Sequence, residues 1–79
     1  MTPEQVLAAL QDAVAIVMEV PAASVLPEQR FEEDLAADSL ALVEIIDILE
    51  ERLGLTIRDQ DLDDLSTIQQ TVDYALARL

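Results

Sequence analysis

The sequence predicts an all-α fold, a small four-helix bundle of three main helices and one short helix, with a long loop between the first two. Three observations carry this expectation. Gly54 is the only glycine, and Phe31 and Tyr74 are the only aromatic residues, whereas a β-rich chain of this size needs turn glycines and aromatic strand residues. Apolar residues recur at three- and four-residue spacing in separate stretches. Thr-x-x-Gln capping boxes at Thr2 and Thr67 mark helix starts. With 79 residues, 52% of them hydrophobic, and no cysteine, the chain is expected to form a single domain over residues 1–79. A Leu, Ile, Val and Ala core must hold it, since no disulfide or thiolate-bound metal can.

The first helix is expected from Pro3, capped by Thr2, to near Val20. Proline suits the first helical position, and Pro21 disfavours helical geometry at the residue before it. Val6, Leu10, Ala13, Val14 and Val17 form its apolar stripe, while Glu4, Gln11, Asp12 and Glu19 fall off it. From Pro21 to Ala37 no period is sustained. Val25, Leu26, Phe31 and Leu35 are scattered apolar anchors there, and the four-residue step from Phe31 to Leu35 suits a short helical turn packed on the core. A connection this long in so small a chain tends to be functional.

The second helix begins at Asp38 or Ser39 and runs to about Leu53, with Gly54 as its stop. Val43, Ile46, Leu49 and Leu53, widened by Ile45, make its buried stripe. Leu40 and Leu42 add apolar bulk near its start, and one of the two is expected to stay exposed. Glu44, Asp47 and Glu51 recur on a different face, with Glu50 beside them. After Leu55-Thr56-Ile57, the acidic stretch Asp59–Asp64 reads as a single helical turn with Leu62 or Leu65 inward. The last helix opens at Thr67 and turns Ile68, Val72, Ala75, Leu76 and Leu79 inward.

The charge balance is extreme: seventeen acids against four arginines, no lysine and no histidine, for a formal net charge of −13. Such a surface repels nucleic-acid backbones and anionic membranes, so neither is expected as a partner. It solubilises, and it steers toward basic protein surfaces. No apolar run reaches the roughly 20 residues of a membrane span, and the basic start of a signal peptide is missing. A cytoplasmic monomer is the expectation.

The inventory also excludes much chemistry. Without His, Lys or Cys there is no Ser-His dyad, no Cys-His pair, no Schiff-base lysine and no ordinary structural zinc site. A calcium loop starting at Asp59 fails as well, because Asp64 stands where the sixth-position glycine belongs and Gln70 where the twelfth-position glutamate belongs. No catalytic residue and no metal ligand is therefore expected.

Asp38-Ser39-Leu40 supports two readings. In one, Asp38 is an N-cap worth about 1 kcal/mol and Ser39 is only the first helical residue. In the other, the Ser39 hydroxyl points outward beside free backbone N–H groups at the positive end of the helix dipole. That environment suits a phosphate attached to the hydroxyl. No base in the chain activates Ser39, so it has to be acted upon by another protein.

Phe31-x-x-Asp34-Leu35-x-x-Asp38-Ser39-Leu40-x-x-Val43-Glu44 resembles the centre of the acyl carrier proteins. The similarity continues through Glu50-Glu51-x-Leu53-Gly54, Ile57, Thr67-Ile68-Gln69 and Asp73-Tyr74, and covers essentially the whole chain. The resemblance implies that Ser39 receives 4′-phosphopantetheine from coenzyme A through a magnesium-dependent phosphopantetheinyl transferase. Asp38 and Leu40 flank that attachment point. Leu40, Glu44, Asp47 and Glu51 would lie on the helix that meets basic surfaces of partner enzymes: acyltransferases, ketosynthases or acyl- and aminoacyl-loading enzymes.

The pattern departs from the family at Ala36, where glycine is usual, and at Asp47, where the fatty-acid members carry an apolar residue. Alanine is expected to keep ordinary backbone angles at position 36, so that the loop enters the helix differently. Arginine in place of lysine, with abundant alanine, matches a GC-rich genome. Together these imply a free-standing carrier of polyketide or mixed polyketide–peptide biosynthesis. Fatty-acid carriage and aminoacyl or peptidyl carriage are the alternatives. A docking module with no prosthetic group is the reading from another class, for it too explains the acidic helix.

Overall fold

The computed structural model describes residues 1–79 and holds three α-helices, α1 (Pro3–Met18), α2 (Ser39–Leu53) and α3 (Ile68–Arg78), with a short 3-10 helix over Asp59–Asp64. The all-α bundle of three main helices and a short one is thus the fold observed. α1 is its hub and packs against both α2 and α3. The buried hydrophobic residues form one cluster that draws on all three helices, the long loop and the segment around Ile57 and Leu65.

α1 starts as its sequence dictates. The Gln5 N–H donates to Thr2 Oγ1 at 3.2 Å, and the Thr2 N–H donates to Gln5 Oε1 at 2.9 Å. Val6, Leu10, Ala13 and Val14 are buried, with Val17 at the margin. The helix stops at Met18, short of Val20, because Glu19 takes a left-handed conformation (φ 55°). Pro21 bars helical geometry at Val20, and the chain has already turned out one residue earlier.

The loop from Glu19 to Asp38 is more ordered than its lack of period suggests. Ala22–Ser24 forms a single 3-10 turn, and the Gln11 side chain donates to the Val25 carbonyl at 2.8 Å, tying it to α1. The loop's second half is laced to the start of α3. The Ile68 and Gln69 N–H groups donate to the Gln29 and Pro27 carbonyls, and the Phe31 N–H donates to the Ser66 carbonyl. Two of α3's first-turn donors, which helix geometry leaves unpaired, are thus satisfied by the loop. Val25 and Phe31 are buried and Leu35 is half-buried, but Leu26 is exposed and anchors nothing.

α2 is capped by Asp38 and ended by Gly54 at φ 69°, a position that favours glycine. Its inward face is Ile45, Ile46, Leu49 and Leu53, with Leu42 half-buried. Val43, expected in the buried stripe, is exposed instead. The stripe runs through Leu42, and Val43 sits about 100° further round the helix. Glu50 also leaves the acidic face, for its carboxylate is half-buried and accepts the Ile57 N–H.

The Asp59–Asp64 segment is longer than the single turn expected, a 3-10 helix of six residues. Leu65 is buried and Leu62 half-buried. α3 carries its own capping box, with the Gln70 N–H donating to Thr67 Oγ1 at 3.1 Å and the Thr67 N–H to Gln70 Oε1 at 3.0 Å. Ile68, Thr71, Val72 and Ala75 are buried, and Thr71 Oγ1 is satisfied by the Thr67 carbonyl. Leu79 is exposed, because α3 ends at Arg78 before it can turn Leu79 inward. No helix is long and apolar enough to cross a membrane.

Candidate functional site

The site is built where the long loop enters α2. Phe31 and Ala37 are buried, and between them the chain bends through Ala36, which has φ 57°. The expectation of ordinary angles at position 36 is therefore overturned. Ala36 takes the left-handed conformation despite its side chain, because the Ala36 N–H is held by the Glu32 carbonyl and the Ala37 N–H by the Phe31 carbonyl. The bend delivers Asp38 in extended geometry, and its carboxylate accepts the Ala41 N–H at 2.9 Å while its carbonyl accepts the Leu42 N–H at 2.9 Å.

Ser39 is the first residue of α2 and is exposed. Its N–H and that of Leu40 have no acceptor within the protein, since Asp38 serves Ala41 and Leu42. The positive end of the α2 dipole thus lies open beside the Ser39 hydroxyl. Next to it a groove of about 200 Å³ runs between the loop, α2 and the 3-10 helix, with Phe31, Leu42, Leu62 and Leu65 along its apolar side.

Leu40, at 68% exposure, stands on the surface next to Ser39. Val43, one turn on, is exposed too, so the two form an apolar ridge. Glu44, Asp47 and Glu51 are all exposed on α2, and none has an ion-pair partner. The four arginines are engaged elsewhere: Arg30 with Glu33, Arg52 with Asp12, and Arg58 and Arg78 with Asp61. The structure therefore brings Asp38, Ser39, Leu40, Glu44, Asp47 and Glu51 together on one helix. The groove and the part played by Val43 escaped sequence reasoning. A stripe centred on Leu42 rather than Val43 was the available signal for the second.

The family model for the phosphopantetheine attachment site matches residues 8–75. The chain belongs to the acyl carrier protein family. It is 41% identical to the acyl carrier protein of Rubrobacter xylanophilus over 96% of this chain and 94% of that one. It is 37% identical to the acyl carrier protein of Exiguobacterium over the full length of both. Among solved structures, an acyl carrier protein of Enterococcus faecalis superposes with a TM-score of 0.79 at 29% identity, covering both chains completely.

As an acyl carrier protein the chain has a covalently attached phosphopantetheine as its prosthetic group. The surroundings of Ser39 fit such a group. The hydroxyl is open to a modifying enzyme, two unpartnered N–H groups face the place a phosphodiester would take, and the adjoining groove offers apolar cover.

A second polar cluster lies away from this helix start. Asp61, in the 3-10 helix, accepts the Tyr74 hydroxyl and lies 3.3 Å from Arg58 Nε and 3.5 Å from an Arg78 guanidinium nitrogen. The Arg78 guanidinium also stacks over the Tyr74 ring, 3.5 Å from its centre. The Tyr74 bond, helped by the two arginines, outweighs partial burial and holds the Asp61 carboxyl below its usual range. Burial, and then the bond to Asp61, push the Tyr74 hydroxyl up.

Proposed function

We propose that Ser39 is the residue to which phosphopantetheine is attached, and that the chain carries acyl groups, acting as a carrier and not as a catalyst. The observation that carries this is an exposed hydroxyl at the open, dipole-positive start of α2, at the edge of a groove with one apolar side. When bound, the group supplies a terminal thiol on which an acyl or aminoacyl group rides as a thioester. The protein's own part is positional. The bend at Ala36 and the Asp38 cap fix where Ser39 projects, and the Ser39 and Leu40 N–H groups oppose the charge of the linkage. No histidine, lysine or cysteine is present to make Ser39 a nucleophile in its own right. A phosphopantetheinyl transferase acts on it from outside, with Asp38 and Leu40 as the flanking residues that it meets.

The partner enzymes are acyltransferases, ketosynthases or acyl- and aminoacyl-loading enzymes with basic docking surfaces. Leu40, Glu44, Asp47 and Glu51 supply the complement, an unneutralised acidic helix with an apolar ridge. Polyketide or mixed polyketide–peptide biosynthesis in the cytoplasm is the proposed setting, supported by Asp47. Fatty-acid synthesis accords equally with this geometry. Mass analysis of the protein from its native cell separates the two by the group it carries.

The deciding experiment treats the protein with coenzyme A, Mg²⁺ and a broad-specificity phosphopantetheinyl transferase and reads the intact mass. One phosphopantetheine increment is expected, absent in Ser39→Ala. An increment that persists in Ser39→Ala places the arm elsewhere.

A further inference from the structure

The Asp61 cluster plays no part in attachment, yet it lies behind one wall of the groove. That wall is the 3-10 helix, which contributes Leu62 and, just past its end, Leu65. In 3-10 geometry residues three apart share a face. Leu62 and Leu65 thus turn toward the groove and core together, while Arg58, Asp61 and Asp64 share another side.

The wall has little else to hold it. No backbone hydrogen bond joins residues 58–65 to another element; the Asp61 and Leu65 N–H groups donate only to the Arg58 and Leu62 carbonyls within the segment. On the apolar side, buried Leu65 and half-buried Leu62 pack on the core. The polar tie to the rest of the protein is Asp61, whose carboxylate is 16% exposed and takes Tyr74 and Arg78 from α3 as well as Arg58 from its own segment. A charge-assisted bond to a largely buried carboxylate is stronger than a surface ion pair, and two hydrogen-bond donors, Tyr74 and Arg58, converge on this one group with Arg78 ion-paired beside them.

We infer that Asp61 is a clasp, closing the 3-10 helix onto α3 and so setting how far the groove beside Ser39 opens. Released, residues 59–64 move away from α2 with Leu62, and the groove widens while α1, α2 and α3 stay packed. Tyr74 and Arg78 are then positioning residues that act through Asp61. The use of the groove as shelter for the arm and its cargo rests on the proposed function; the mechanical inference does not.

The test is amide hydrogen exchange on the full-length unmodified protein, its Tyr74→Phe variant and its Asp61→Asn variant. Loss of the clasp is expected to speed exchange at residues 61–65 by roughly tenfold, about the worth of a charge-assisted hydrogen bond, while the Leu10 and Val14 amides of α1 keep their rates. Equal acceleration in α1 would assign the cluster to global stability, and unchanged rates at 61–65 would remove the clasp altogether; either overturns the inference. A second measurement reads the groove itself. Once the arm is confirmed by mass, an octanoyl thioester is expected to raise the melting temperature of Tyr74→Phe more than that of the parent, each relative to its unloaded form. An equal rise contradicts a wider groove. Because exchange is read on unmodified protein, failure of Ser39 to accept the arm would strike the proposed function and leave the exchange result standing.

Discussion

The Ala37 N–H donates to the Phe31 carbonyl at 2.7 Å, and the chain between these two buried residues turns through Ala36 in the left-handed region. An alanine there carries about 1–2 kcal/mol of steric strain that glycine avoids. The burial of Phe31 and Ala37 over-determines the bend, so the strain persists. It sits three residues ahead of Ser39.

Ala36→Gly should therefore stabilise the protein. Relief of strain exceeds the extra unfolded-state entropy of glycine, and a net gain of about 0.5–1 kcal/mol is expected. Urea unfolding should show a higher midpoint with an unchanged slope. Ala36→Val should lower the midpoint, since a β-branched residue tolerates positive φ less well. A destabilised glycine variant would mean that the left-handed bend is not maintained.

Asp38 caps the helix through its oxygen, the proposed function adds recognition of its charge by a modifying enzyme, and two variants separate these. Asp38→Ala loses the bond to the Ala41 N–H and about 1 kcal/mol of stability. Asp38→Asn keeps an acceptor of nearly equal capping strength. It should match the parent in thermal unfolding yet receive phosphopantetheine more slowly. Equal rates of modification would reduce Asp38 to a cap.

The Asp61 cluster gives stability a pH signature. The Asp61 carboxyl titrates lower in the folded than in the unfolded chain, so its contribution is present above the usual carboxylate range and is lost as pH falls through its lowered value. The Tyr74 hydroxyl is raised, so its contribution is present below the usual tyrosine value and is lost as pH climbs through the raised one. The net charge of −13 gives every form a background that also changes in acid, so the informative quantity is the parent minus Asp61→Asn. That difference should be large near neutrality and shrink toward zero in acid. A flat difference would mean that Asp61 is not paired in solution.

The helices were legible because capping boxes and proline are local signals. Thr2, Pro3, Thr67 and Gln70 act within one turn, and tertiary packing did not override them. The start of α2 at Ser39 was legible for the same reason, with Asp38 before it as the cap. What stayed hidden depends on distant partners. Glu50 turns from the acidic face to hold Ile57, and Val43 is exposed because Leu42 faces the groove wall formed by residues 62–65. The loop resisted a periodic reading because its order comes from bonds to α3's first turn, almost forty residues further along the chain. Ala36 was misjudged because propensity describes what a residue prefers, whereas buried neighbours decide what it adopts.

That reassignment of Val43 sharpens what α2 offers to partners. Glu44, Asp47 and Glu51 are exposed and unpaired, and Leu40 with Val43 supplies an apolar ridge beside Ser39. Reversal of any one acid to lysine should lower the rate of modification or transfer at low salt while changing stability by no more than about 0.5 kcal/mol. The loss should fade as salt shortens the screening length toward 10 Å and below. Glu4→Lys makes the same change in net charge on α1 and is the control, for it leaves the α2 surface intact. If it slowed transfer equally, the acids would act through net charge alone. Val43→Ser removes apolar contact without touching charge, so its effect should persist at high salt. Because Val43 is 40% exposed, little core packing is lost, and a slowed transfer with an unchanged unfolding midpoint would assign it to the docking surface.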